Sequence, residues 1–495
     1  MTTPVSFTPV TQLDLDDEHL VGELKLRISQ NRFEFIQESR PNILHLREKH
    51  KLINKSNATH VDNLWKLLMK EAITLLKIYS PQEWQLKGQL GTPEQMEGLR
   101  AFGVDELYDY FIRFKEFEHL LYGADEYYRG HVVHVFRVWM LGALLLDDWD
   151  QRGWRPNFDF CDLLSGKNGK EPEAKAAREN AEKLITYEEI QAMWAIIALS
   201  HDLGYPLEKT DTINTSTRDM LRKYGKVNIQ DFRFDVPQVH QFINDFILRF
   251  ISSRLVYKGD KEVLLRALAS TSNEVSEKLE FQIHTQSKYY LKFSKSLEDY
   301  EHGIFSSIIL MKNLTYFLES DFELDQMKPL DLEDARQWAI RREMLRAIAS
   351  HTCEEIYYIR PDTLAFLLIL CDELQCWGRP TLTEMMHEES VRGESSAKLR
   401  SFTSNKVEFS LIFQMHSSKD AEKGLEVWAA HIFRRFQKML RAAYDAPKRT
   451  FTCHFEISST RRKSSVYKFE FQAAGGIQEF CFRKNNNKWD PWGVK

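Results

Sequence analysis

Four residues far apart in this chain, His134, His201, Asp202 and Asp372, are of the types that hold a divalent cation, and each sits in or beside an apolar run. The segment RGHVVHVFRVWMLGALLL carries His131 and His134 three residues apart, on one face of a helix that is apolar nearly all round. An imidazole there needs a partner, because an unpartnered buried polar group costs about 2 kcal/mol or more. MWAIIALSHDLGYPLEKT closes a second apolar run with adjacent His201 and Asp202, followed by Gly204 and Pro206 as stop signals. The pair can reach one cation together, Asp as a hard oxygen ligand and His as a borderline nitrogen ligand. PDTLAFLLILCDELQCWGRP places Asp372 inside a third apolar helix, where binding a metal is one way to keep a carboxylate ionised. Each residue alone fits ordinary packing, but a His, an HD pair and an Asp on three separate apolar helices point to one site. A cation held there would polarise a substrate oxygen and acidify a bound water.

Helices of this kind belong in the centre of a bundle. From about Thr92 to Pro380 the apolar runs are long, helical in period and rich in Leu, Met, Trp and Ala. Two polar stretches interrupt them, Gly166 to Lys183 as a surface loop entering an exposed helix, and Asp211 to Val236 as a lid or insertion. Ahead of this region, Glu18 to about Ser80 is helical in pattern, with Leu64, Leu67, Leu68, Ile73, Leu76 and Ile78 mostly three or four apart, and SPQEW then punctuates the chain. The first 17 or so residues are Thr, Pro and Asp-rich and predicted to be poorly ordered. After Gly393 the texture changes. KVEFSLIFQM, RTFTCHFEISST and SVYKFEFQAA alternate like strands, with a helical stretch from Ala421 to Tyr444 between the first two. The expectation is a mainly α protein in three parts: an N-terminal helical extension over residues 1–95, a helical bundle over 96–395, and a small α+β module over 396–495.

Composition narrows the function classes. At 495 residues and 43% hydrophobic, the chain can bury a large core. Its longest apolar runs, Val138 to Leu146 and Leu364 to Cys371, are too short to span a bilayer. The N-terminus shows no basic start, apolar core or small-residue cleavage site, so the expected location is cytoplasmic, away from membranes. The six cysteines are scattered and read as free thiols. The net charge of -5 argues against a dedicated nucleic-acid binder, yet residues 396–495 hold 19 Lys and Arg against 9 Asp and Glu. That basic module suits an anionic ligand or an acidic partner face. No GxxxxGK[ST], GxGxxG or GxSxG motif is present, so P-loop, Rossmann and serine-hydrolase chemistries have no basis here.

The order H…HD…D, in the forms HVFRVWMLG, SHDLGYP and LCDELQCWGR, resembles the metal-binding signature of HD-domain phosphohydrolases over about residues 100 to 380. The resemblance implies an all-α HD-domain bundle with one or two metal ions. It gives His134, within H-x-x-R-V, the first ligand position and gives His201, Asp202 and Asp372 the others. Two further histidines, His302 in YEHGIFSSIILMKNL and His351 in MLRAIASHTCEEI, stand in the order found in two-metal HD phosphodiesterases. In deoxynucleoside triphosphate hydrolases of the SAM-and-HD-domain type, a histidine in an H-x-x-x-S context like His302 and Ser306 instead acts as the acid or a phosphate contact. Both assignments stay open. Cyclic-dinucleotide enzymes have HD-x-G-K, whereas this chain has Tyr205 after Gly204 and its lysine, Lys209, four residues later. Arg129, His131, Lys209, Tyr205 and Arg379 are the candidate substrate contacts.

The resemblance implies a metal-dependent phosphohydrolase of nucleotides, first a dNTP triphosphohydrolase, in which a metal ion polarises a phosphoryl oxygen and a nearby acid, His302 as candidate, protonates the leaving oxygen. The N/O ligand set admits Mn, Fe, Zn, Co, Ni or Mg. The resemblance further suggests a homo-oligomer, an allosteric nucleotide at the C-terminal module, and nucleotide depletion as an antiviral defence. The alternatives are a cyclic-nucleotide phosphodiesterase or nucleotidase, an HD single-strand nuclease gripping DNA with its basic module, and a non-catalytic nucleotide-binding scaffold.

Overall fold

The computed structural model describes residues 7–46, 55–78, 101–124, 130–158, 184–225, 238–257, 259–260, 263–264, 279–318, 329–356, 359–379, 395–403 and 406–415, and the strands at 450–459, 466–474, 481–484 and 490–491. The protein is mainly helical. In chain order the helices are α1 (Asp17–Ser29), α2 (Arg40–His45), α3 (Lys55–Ile78), α4 (Val104–Ala124), α5 (Val132–Gln151), α6 (Tyr187–Ser200), α7 (Tyr205–Arg222), α8 (Gln238–Ser252), α9 (Ser287–Glu298), α10 (His302–Asn313), α11 (Leu332–Thr352) and α12 (Leu364–Leu374).

Side-chain caps fix where several of these helices begin. Thr186 and Glu189 form a reciprocal capping box at the start of α6, while Asp331 and Thr363 accept backbone N–H groups at the starts of α11 and α12. Of the five that carry the site, α5, α6 and α12 are buried along nearly their whole length, as their apolar sequences require. α10 is mostly buried, and α11 is buried along most of its length although it carries charged residues such as Arg336, which pairs with Glu189. Gly142 allows α5 and α6 to approach closely, since a Cβ there would lie 2.0 Å from the Trp194 ring. α3 packs along α6, and its Trp65 Nε1–H donates to the Leu199 carbonyl at 2.8 Å. α12 lies against α5 and α11, and α10 against α11.

Residues 7–16, expected to be loose, are packed. Val10, Leu13 and Leu15 enter the core, and the Val10 N–H donates to Asp148 Oδ2 at 2.8 Å. The polar average of this stretch conceals three apolar anchors. Arg27, fully buried, then joins Glu23, Asp147 and Asp148 at 3.0, 3.0 and 2.8 Å. Arg137, the arginine of the H-x-x-R-V run, holds Asp17 at 2.6 Å and donates to the Gly378 carbonyl, so it ties α1 to the turn after α12. Residues from Val10 to Phe409 contribute to one apolar core.

Two other expectations change. Of the polar stretch Asp211 to Val236, expected as a lid or insertion, Asp211 to Arg222 continues α7, in which Pro206 occupies the first turn, where its missing N–H costs nothing, and residues 226–236 lie outside the described residues. Within the helical region, β1 (Ser253–Tyr257) pairs antiparallel with β2 (Phe281–Thr285). Both strands are five residues long, and β1 follows α8 without a break, so the sequence offers no turn signal between them.

After α12 come β3 (Ser395–Phe402), β4 (Lys406–Met415), β5 (Thr450–Ser459), β6 (Val466–Ala474), β7 (Cys481–Lys484) and β8 (Asp490–Pro491), side by side in that order in one sheet. All neighbours are antiparallel except β4 and β5. A parallel pair needs a crossover connection, and the helical stretch expected from Ala421 to Tyr444 falls in that gap but lies outside the described residues, as do SPQEW and Gly166 to Lys183. Leu15 bridges to Ala397, and Phe402 packs on Trp149 and Phe366, which fastens β3 to the helical body. Among the described residues no helix is long and apolar enough to cross a membrane. Cys353, Cys371 and Cys376 are buried free thiols.

Candidate metal centre

The ends of α6, α11 and α12 and the starts of α5 and α10 bring His134, His201, Asp202, His302, His351 and Asp372 to one buried point. Three overlapping groups there could each hold a metal ion: His134 with His201 and Asp202, His201 with His351 and Asp372, and Asp202 with His302 and His351. In each, the ligand atoms lie within 4.8 Å of one another. Asp202 faces both ways. Its Oδ2 is 3.3 Å from His201 Nε2 and 3.7 Å from His134 Nε2, whereas its Oδ1 is 3.2 Å from His302 Nε2 and 3.8 Å from His351 Nε2. Asp372 Oδ1 lies 2.9 Å from His134 Nε2 and 4.0 Å from His201 Nε2.

The outer ring nitrogens explain why the inner ones converge. His134 Nδ1 meets Gln375 Oε1 at 2.5 Å, His201 Nδ1 the Ala198 carbonyl at 2.8 Å, His351 Nδ1 the Ile348 carbonyl at 2.6 Å, and His302 Nδ1 Glu208 Oε2 at 2.5 Å. Each partner accepts the Nδ1 proton, which leaves Nε2 as the atom aimed inward; metal-ligating histidines are oriented in this way. His201 Nε2 is buried with no hydrogen-bond partner, an arrangement expected of a ligand atom and costly otherwise. These donors fit a divalent transition metal or Mg²⁺.

Local charge follows the same pattern. Burial, with Arg379 nearby, pushes His134 down to about 4 despite the opposing pull of Asp372. Burial also lowers His351 to about 4. Both rings are therefore neutral near pH 7, the form that binds metal. Burial would raise Asp202, but the imidazoles of His201 and His131, followed by His302 and His351, hold it well below the usual carboxylate range. His302 is different. Burial works against its charge, yet Asp202 and Glu208 together push it up to about 9.

The elevated value gives a test. His302 keeps its proton below about pH 9, so a cation bound through Nε2 must displace it. Loading that position near pH 7 is expected to release about one proton, with affinity rising about tenfold per pH unit until the histidine titrates. Calorimetric titration in buffers of differing ionisation enthalpy reads this directly. Metal binding without proton release would place His302 outside the coordination shell, in the role of an acid.

Of the proposed substrate contacts, four surround the centre. His131 is buried at the start of α5 and its ring lies 4.0 Å from that of Tyr205, which in turn lies 5.2 Å from the His302 ring. Lys209 sits on the first turn of α7 rather than in a returning loop; its Nζ is 3.3 Å from Glu208 Oε1 and 5.2 Å from the Tyr205 ring. The charge of Arg379 is close enough to act against protonation of both His131 and His134. Arg129 lies outside the described residues.

Three supporting residues escape a reading for ligand types alone. Glu208 fixes His302 through both its ring and its backbone N–H. Ser306 accepts from the Gly204 N–H at 2.8 Å and donates to the His201 carbonyl at 2.6 Å, which locks the HD turn to α10. Gln375 orients His134 and donates to the Trp377 carbonyl at 2.7 Å. The only signal for Gln375 is its place three residues after Asp372. Gln375→Leu is expected to weaken metal binding about 10- to 100-fold in chelator competition, the usual cost of losing such support. Gln375→Glu, which still accepts from Nδ1, is expected to restore most of it; equal losses in both variants would contradict the orienting role.

Comparison with protein-family models, with curated proteins and with solved structures finds no match to this chain.

Proposed function

We propose that this chain is a metal-dependent phosphohydrolase of the HD-domain type acting on nucleotides, and first a dNTP triphosphohydrolase. The observation that carries the reading is the convergence of four Nδ1-anchored imidazoles and two carboxylates on one buried point, in the sequence order H…HD…D. When bound, divalent cations at such a centre supply electrophilic pull on a phosphoryl oxygen and acidify the attacking water. His134, His201 and Asp372 would hold one ion and His302 and His351 a second, with Asp202 within reach of both. Arg379 and Lys209 bring positive charge to the rim, where phosphate oxygens would be neutralised. Tyr205, tilted by 31° to the His131 ring and edge-on to His302, offers aromatic surface to a substrate together with His131.

A second reading, a phosphodiesterase or nucleotidase, is favoured by the further group of ligand atoms at Asp202, His302 and His351, which overlaps the other two and suits a two-metal centre. The test is incubation of the purified chain with Mn²⁺ or Mg²⁺ and a panel of dNTPs, NTPs, cyclic mono- and dinucleotides, monophosphates and single-stranded DNA, the dNTPs both singly and mixed. Deoxynucleoside plus intact triphosphate is the expected product pair. Untouched dNTPs beside a cleaved cyclic nucleotide or monophosphate would replace the first reading with the second. No cleavage of any phosphoester by metal-loaded protein would overturn both.

A further inference from the structure

A cavity of about 320 Å³ borders α11, and none of the six cluster residues is among those that line it. The volume is at the small end of the range for ligand pockets. Four arginines from three parts of the chain line it: Arg254 on β1, Arg342 and Arg346 on α11, and Arg360 just before α12. Arg342, Arg346 and Ser350 succeed one another at four-residue steps, so one face of α11 supplies them all.

Four guanidinium groups around one small cavity repel one another, and each stays charged at any physiological pH. Among the described residues, Glu343 is the one carboxylate in the lining. It pairs with Arg342 at 3.0 Å, and Asp362, outside the lining, pairs with Arg360 at 2.8 Å. Arg346 lies 4.3 Å over the Tyr289 ring, which fixes the plane of its guanidinium. Arg342 is buried and Arg254 is exposed, so the charge runs from the floor of the cavity to its rim. Planar, pre-positioned guanidinium groups in excess of carboxylates are the arrangement that binds phosphate bidentately.

We infer that this cavity is a binding site, separate from the metal centre, for a ligand bearing two or more linked phosphates. Bound there, the ligand rests on α11, whose last turn also delivers His351.

The test is calorimetric titration of the full-length protein with inorganic tripolyphosphate. Wild type is compared with Arg254→Gln, Arg346→Gln and Asp202→Ala. The two arginines are not fully buried, so their loss spares the core. Each arginine change is expected to weaken binding at least about tenfold, since hydrogen bonds to charged groups are the strong ones. Asp202→Ala is expected to leave this binding in place, which separates its outcome from that of the phosphohydrolase reading. Parallel titration with a nucleoside triphosphate distinguishes the source of the phosphates: tighter binding than tripolyphosphate adds a base contact, and weaker binding assigns the site to free oligophosphate. Absence of tripolyphosphate binding in wild type, or its loss in Asp202→Ala with both arginine variants unaffected, would overturn the inference.

Discussion

Asp202→Ala is expected to lower turnover of the phosphoester substrate by at least about 10³-fold, near the upper end of what loss of one preorganised charge-stabilising group costs. The reason is its position. One oxygen faces His134 and His201 and the other faces His302 and His351, so a single substitution withdraws negative charge from both halves of the centre. It also leaves His302 with Glu208 alone as its acidic partner, so the His302 pKa falls from about 9. A proton held in the native protein below that value is then held less tightly, and the stability it contributes below pH 6.5 shrinks. Steady-state rates and thermal melts at pH 6 and pH 9 check the two consequences. A variant retaining a tenth of wild-type turnover would remove Asp202 from the centre of the mechanism.

The second large effect comes from a residue that binds nothing. Gly204 follows the HD pair at the turn between α6 and α7, and a Cβ there would meet the His302 carbonyl at 2.2 Å and the Ser306 backbone nitrogen at 2.8 Å. Neither atom can move without moving α10. Gly204→Ala is therefore expected to destabilise the protein by about 1–3 kcal/mol, the common cost of overpacking. It is also expected to carry His302 away from Asp202 and Glu208. In metal titrations the His302–His351 position should weaken far more than the His134–Asp372 position, while circular dichroism reports a helical protein. Uniform loss of metal at both positions would show that the close approach does not act through α10.

The sequence revealed the candidate ligands better than their supports. His134, His201, Asp202 and Asp372 stand out because each is a polar residue in an apolar helix, and such contrast survives without coordinates. His302 and His351 were legible for the same reason. Glu208 was not, because an exposed-looking E-K pair in a polar helix has no contrast; only the fold brings it under His302, 94 residues away in sequence. The strands β4, β5 and β6 match their alternating segments closely, since alternation is a local signal. The β1–β2 pair joins two five-residue segments far apart in the chain, and no local pattern announces a partner so distant. The packed start at Val10 fails on composition for a related reason: three anchors decide the outcome, whereas the average is polar.

The central claim is that six side chains form a centre for two cations. It is tested most directly by equilibrium dialysis of the full-length protein against Mn²⁺, with metal counted by atomic absorption and the spectrum recorded by electron paramagnetic resonance. The account predicts two ions per chain with an exchange-coupled spectrum, and loss of the coupled signal in Asp202→Ala. Wild-type protein holding no more Mn²⁺ than the Asp202→Ala variant would contradict it.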